Sequence, residues 1–220
     1  MESTYASRVF TGSREEADSS AATSAQAPTA VTFDPSTHSY SFHGRRLISV
    51  TQVIHAAGLI RSEWYTEAAR QRGRAVHLAI HFDAERDLDE SSVSPLIRPY
   101  LEAARNFKRD TGFVTELTEA RVWAIDLSYA GTLDHLGLIG KKQRVLVDWK
   151  TGVVPEWARL QTAGYANGFP NGAGFLRYAV QLKPDGAYKI TSFEPQEFRR
   201  DFTDFLACVR VAQLQEEQNV

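Results

Sequence analysis

The chain of 220 residues carries 25 Lys and Arg against 27 Asp and Glu, a formal charge of -2, with 43% hydrophobic residues, ordinary values for a soluble globular protein of one domain with a tail. Its single cysteine, Cys208, excludes an intrachain disulfide framework and a four-cysteine iron-sulfur cluster. No apolar run approaches a membrane span and the N-terminus lacks a basic start and an apolar core, so the expectation is a cytoplasmic protein with no membrane partner. The near-neutral charge does not announce nucleic acid, but a carboxylate-lined site offsets a basic groove elsewhere, so it argues only weakly against one.

Residues 1 to 30 are rich in Ser, Ala, Thr and Glu, with too few large apolar side chains to offset the entropy of ordering, and read as a disordered tail. From Val31 to Val50 the apolar residues Phe33, Tyr40, Phe42 and Leu47 alternate between the turn signals Asp34-Pro35-Ser36 and His43-Gly44, which predicts a small β-hairpin. A short helix follows, with Thr51 as N-cap and Gly58 as stop. Glu63 to Glu85 is a longer helical pattern, with Ala69, Val76, Ile80 and Ala84 near one face. Gly73 inside it costs about 1 kcal/mol relative to Ala, which points to close packing or a ligand near the backbone. His77 and His81 lie on the next turns; without the Glu of a His-Glu-x-x-His motif, His81 reads as a structural or supporting residue.

Ser92 to Thr111 predicts an amphipathic helix burying Leu96, Tyr100, Ala103, Ala104 and Phe107. Its Arg98, Arg105, Lys108 and Arg109 face either a phosphate backbone or solvent. Thr118 to Ile125 is a strand on which Glu119, Arg121 and Trp123 share a face and Ala120 and Val122 the other. Tyr129 to Leu133 leads into Asp134, and Val145, Leu146 and Val147 have the bias of a buried strand. Alternation then points Asp148 and Lys150 the same way. A hairpin through Gly140, Lys141 and Lys142 brings Asp134 beside Asp148. Two carboxylates so close repel, and a divalent cation with oxygen ligands relieves them, so the pair reads as a Mg²⁺ or Mn²⁺ site with Lys150 beside it to hold a phosphate oxygen or an attacking water. Glu156 to Asn167 is a helix with Trp157, Gln161 and Tyr165 on one face. Phe175 to Leu182 and Ala187 to Phe193 are strands about Pro184-Asp185-Gly186, and Gln196 to Gln215 is a closing helix packing Phe198, Phe202, Phe205, Leu206 and Val209.

Asp134 followed by Asp148-Trp149-Lys150, with Gly73-Arg74-Ala75-Val76-His77 upstream and Gln161-Thr162-Ala163-Gly164-Tyr165 downstream, resembles the RecB-like exonuclease branch of the PD-(D/E)XK nuclease superfamily. The likeness covers roughly residues 45 to 195; its one departure is Leu133-Asp134 where the superfamily has Pro-Asp. The resemblance implies an α/β fold with a restriction-endonuclease-like core, a mixed central β-sheet flanked by helices with the N-terminal β-hairpin. It implies one or two Mg²⁺ or Mn²⁺ held by His77, Asp134, Asp148 and the backbone carbonyl of Trp149, catalysis by Lys150 with Asp134, Asp148 and Glu119, and substrate contacts from Gln161, Tyr165 and Arg74. The implied partner is DNA, at a single-stranded or a duplex end, with a recombination or helicase partner left open. A non-catalytic binding module, an RNase or endonuclease with the same site, and an unrelated protein with a structural ion-pair network are the alternatives the sequence leaves.

Overall fold

The computed structural model describes residues 7–10, 31–61, 66–140 and 142–218. Among these residues nine strands form one mixed sheet: β1 Ser7–Phe10, β2 Thr32–Asp34, β3 Ser39–Phe42, β4 Arg45–Ser49, β5 Val114–Ala124, β6 Tyr129–Ile139, β7 Gln143–Lys150, β8 Leu176–Leu182 and β9 Tyr188–Phe193. The path runs β2-β3-β4-β6-β7-β8-β9, with β5 paired to β6 and to β1. Two pairings are parallel, β4 with β6 and β7 with β8, and the rest antiparallel.

Among the described residues five α-helices cover this sheet: α1 Val50–Ala56, α2 Glu67–Glu85, α3 Arg98–Thr111, α4 Ala158–Ala166 and α5 Phe198–Gln218. On one face, α1, α4 and α5 pack Val53, Leu160 and Phe205 against Leu133, Leu136 and Leu146. On the other, α2 and α3 pack Val76, Ile80 and Phe107 against Val145, Val147 and Trp149. The buried strand β7 therefore sends odd residues to one layer and even residues to the other, as its alternation requires. The expected α/β class, a mixed sheet flanked by helices, is what the chain adopts.

Several local expectations are corrected. The N-terminal hairpin is a three-stranded meander, β2 to β4. Helix α1 is capped by Ser49, not Thr51: the Ser49 hydroxyl accepts from Gln52 N while the Gln52 side chain accepts from Ser49 N, a reciprocal box that Thr51 cannot make. Thr66 caps α2; the expected start at Glu63 falls outside the described residues. Helix α3 begins at Arg98 rather than Ser92, and Leu96 is 81% exposed instead of buried. Pro95 and Pro99 explain both, because proline lacks the N–H and fits only a first turn. Within the expected tail, Ser7–Phe10 pairs with β5; the rest of that segment, and Lys141 of the expected turn, lie outside the described residues. Among the described residues no helix is long and apolar enough to cross a membrane.

Candidate active site

Strands β6 and β7 part company at the site. Their pairing runs from Ile139–Gln143 back to His135–Val147 and stops there, one residue short of setting Asp134 opposite Asp148. The same edge of β6 is taken up at its other end by β4, at Tyr129 and Ala130. A fork opens between, and the backbone groups lining it need partners other than a strand. Asp134 supplies one: its Oδ2 accepts from Trp149 N at 2.7 Å.

A second irregularity aims the carboxylates. Leu117 and Ala120 pack in the same layer although they are three residues apart, as do Leu133 and Leu136. In regular strands such pairs face opposite sides. The alternation slips by one between them on both strands, and Glu119 and Asp134 sit at the slip. Glu119 takes it up with a left-handed backbone, φ +48°, a conformation that strains a non-glycine residue.

Helix α2 brings His77 over the fork. Its Nδ1 lies 3.2 Å from Asp134 Oδ1 and its Nε2 3.1 Å from the Trp149 carbonyl oxygen. Burial pulls the imidazole down, but the Asp134 charge and hydrogen bond outweigh it and push His77 up to about 9. Ligand atoms of His77, Glu119 and Asp134 all lie within 4.8 Å of one another.

Asp148 is 2% exposed, and its Oδ2 meets Lys150 Nζ at 2.7 Å. The contact is an ion pair without the alignment of a hydrogen bond. Burial pushes the Asp148 carboxyl up, and Asp134 adds to this against the pull of Lys150. Burial acts the same way on Asp134, yet His77, Lys150 and the Trp149 N–H together hold it below its usual value. Glu119 is displaced upward by burial of its carboxyl and then by Asp134, although the residue as a whole is exposed. Three carboxylates thus crowd one imidazole and one ammonium.

Lys150 also donates to Gln161 Oε1 at 2.8 Å, and Gln161 Nε2 donates to the Tyr165 hydroxyl at 3.1 Å. Both α4 residues are buried, 6% exposed each. They form a relay that aims the ammonium. Tyr165 in turn packs on Gly131, where an added Cβ would fall 2.7 Å from its Cε1. Arg74 lies outside this cluster: it pairs with Glu67 at 3.1 Å, exposed, on the wall of a cleft that also includes Gly73, His77, His81, Glu119 and His38. A Cβ on Gly73 would meet only Thr151 Oγ1, at 3.7 Å, so protein packing does not demand that glycine and it leaves the cleft wall open. His81 is held by Thr118 Oγ1 at 3.1 Å.

The basic residues of α3 are all paired with acids, Arg109 with its neighbour Asp110 at 3.1 Å. Arg105 bonds Asp83, Glu90 and Glu102, Lys108 bonds Asp83, and Arg98 bonds Glu90. Two residues escaped the sequence reading. His135 is buried, and its Nδ1 accepts from Trp149 Nε1 at 3.0 Å; the hairpin register that paired Asp134 with Asp148 also sets His135 diagonal to Trp149 and could have found it. His38 enters the cleft from the β2–β3 turn, φ +50°, and no local signal announces it.

The donor set, carboxylate and carbonyl oxygens with one imidazole, fits a hard divalent cation. No family model matches the chain, and no curated protein matches it. Among solved structures it aligns with an alkaline exonuclease, LHK-Exo, from Laribacter hongkongensis, at 15% identity over 79% of this chain and 93% of that one, with a TM-score of 0.31. LHK-Exo in complex with dAMP aligns at 18% identity over the same shares, with a TM-score of 0.28. Likenesses this low carry no argument, so the functional reading stands on the site itself.

Proposed function

We propose that the chain is a metal-dependent nuclease of the PD-(D/E)XK type that hydrolyses DNA phosphodiester bonds, working as an exonuclease. The observation that carries this reading is the fork, where Asp134, Asp148 and Lys150 from two diverging strands converge under His77. What sets these charges apart is that Asp148 and Glu119 are pushed up by burial and by a third carboxylate, Asp134, a like-charge crowding that a structural ion pair avoids.

His77, Asp134, Asp148, Glu119 and the Trp149 carbonyl would hold one or two Mg²⁺ or Mn²⁺. A cation there supplies Lewis-acid polarisation of a phosphoryl oxygen and a more acidic water. The protein's own part is positioning and charge. Lys150, steered by Asp148 and by the Gln161–Tyr165 relay, directs an N–H toward a phosphate oxygen or orients a water at phosphorus, and its charge offsets the extra negative charge of the transition state. Asp134 fixes the peptide between Asp148 and Trp149, and His77 meets the carbonyl of the next one. Contacts limited to phosphate and sugar leave base sequence unread. A role in recombination, repair or phage DNA metabolism, with or without a helicase partner, is part of the same proposal and follows from the resemblance of the motifs.

The test is an end-labelled digestion series on linear duplex, closed circular duplex, single-stranded DNA and RNA, each with Mg²⁺, Mn²⁺ or EDTA. The expected result is metal-dependent loss of linear DNA with circles spared. Cutting of circles would make the enzyme an endonuclease, and cutting of RNA alone an RNase. Retained binding without cleavage of any substrate would replace the enzyme with a non-catalytic binding module.

A further inference from the structure

Beyond Lys150, on the side away from His77, the loop into α4 walls a second cleft of about 390 Å³ lined by Leu59, Arg61, Pro155, Glu156, Trp157 and Arg159. It is continuous with the candidate site through one residue. Trp157 stands one turn before Gln161, and the Lys150 ammonium lies over its indole, 5.2 Å from the ring centroid. The indole is half-buried, packed on the core at one side and reaching the cleft at the other. Two guanidiniums border it, with Arg159 anchored to Asp201 at 3.0 Å and Asp204 at 2.7 Å. With Lys150 over the ring and the core beneath it, the indole gives the cleft its edge. That edge, the aliphatic walls and two guanidiniums against one acid, Glu156, suit a nucleobase of any identity, because every base presents a π-face to an aromatic edge.

We propose that this cleft is a nucleotide subsite in which the base next to the phosphate held at Lys150 leaves its stack and lies against Trp157. The inference rests on the nuclease reading and sharpens it. A base lodged in this cleft cannot stay paired in a duplex, so the preferred substrate is a single strand or a frayed end, with little dependence on base identity. Trp157 then acts on rate through binding, by seating the strand, and secondarily by steering Lys150.

The experiment uses short single-stranded oligonucleotides, one intact and a set carrying one abasic nucleotide at each position in turn, with wild-type protein, Trp157→Phe and Trp157→Ala. Equilibrium binding is read by fluorescence anisotropy in Ca²⁺, and cleavage in Mg²⁺ or Mn²⁺. For intact oligonucleotide we expect Trp157→Ala to weaken binding on the order of tenfold, Trp157→Phe to recover most of it, and the loss to appear in KM more than in kcat. One abasic position should weaken wild type equally and erase its advantage over Trp157→Ala. Equal binding of the intact strand by wild type and Trp157→Ala overturns the subsite. So does a Trp157→Ala loss that persists undiminished at every abasic position, which would leave Trp157 as packing that steers Lys150. The same abasic pattern in binding, without cleavage by wild type, would sustain the subsite and remove the nuclease.

Discussion

At the scale of single residues, the site separates groups held for chemistry from groups held for packing. Lys150 is ion-paired to Asp148 and hydrogen-bonded to Gln161, and Asp148 is buried beside a second carboxylate that pushes it up further. Lys150→Ala and Asp148→Asn should each lower kcat by about a thousandfold or more while the far-ultraviolet dichroism stays that of the wild type; cleavage at the wild-type rate by either would remove them from the mechanism. Glu119 offers a sharper contrast because it is strained as well as charged. Glu119→Gly relieves the left-handed backbone at φ +48° and the repulsion from Asp134, so it should stabilise the fold by about 1 kcal/mol in EDTA, with lower activity in metal. Glu119→Ala keeps the strain and should melt below Glu119→Gly. A Glu119→Gly protein that melts below wild type would sink this account of the kink.

At the scale of elements, close approach of β5 to β6 fixes one glycine. A Cβ on Gly137 would lie 2.1 Å from the Val114 carbonyl oxygen and 2.8 Å from Phe113 Cζ, beside the point where the β5 register shifts between Thr115 and Leu117. Backbone cannot yield as a side-chain tip can. Gly137→Ala should cost about 3 kcal/mol or more, seen as a lower urea midpoint with an unchanged slope. Gly152, whose added Cβ meets nothing within 4 Å, should accept Ala with little change. Much of this level is legible in the sequence. The β-branched run of β7, the hairpin to β6 and the Gln161–Tyr165 spacing all express local periodicities, and the structure brings Asp134, Asp148, Lys150 and Gln161 together, although the hairpin pairing ends at His135 and Val147. His77 is legible only through the resemblance of its Gly-x-x-x-His motif. What is illegible is non-local or off-pattern. A left-handed glutamate leaves no compositional trace, the stripe that included Leu96 ran on through two prolines, and Arg105 finds acids on α2 and in the turn before α3 that no helical period reveals.

At the scale of the whole molecule, the outer helix is locked to the sheet by charge. Arg177 of β8 is fully buried, and its Nη2 donates to Asp201 Oδ2 at 2.8 Å, while Arg159 and Arg200 donate to the other oxygen, each at 3.0 Å. Burial raises the Asp201 carboxyl, but the hydrogen bonds from Arg177, Arg200 and Arg159 outweigh it and hold it below 3.8. A group depressed in the folded state contributes its full stability above the unfolded value and loses it as pH falls through the folded one. The contribution is therefore intact at neutral pH and disappears only below about 3.8. Asp201→Asn strands the Arg177 guanidinium, so it should cost about 3–5 kcal/mol at neutral pH. Chemical denaturation from pH 7 down to 3 should show the gap to wild type closing at the acid end; a constant gap would place the cost in packing instead of charge.

The fork has a temporal meaning as well as a spatial one. Its residues come from α2, β5, β6, β7 and α4, and the two parallel pairings that brace it, β4 with β6 and β7 with β8, close only after long stretches of chain have been laid down. Contacts of such sequence separation form late. On the proposed function, catalytic competence waits on long-range closure: the chain cannot cut until the strand after α4 has docked beside β7. In refolding from urea, cleavage should return with the slowest phase of intrinsic fluorescence and never ahead of it.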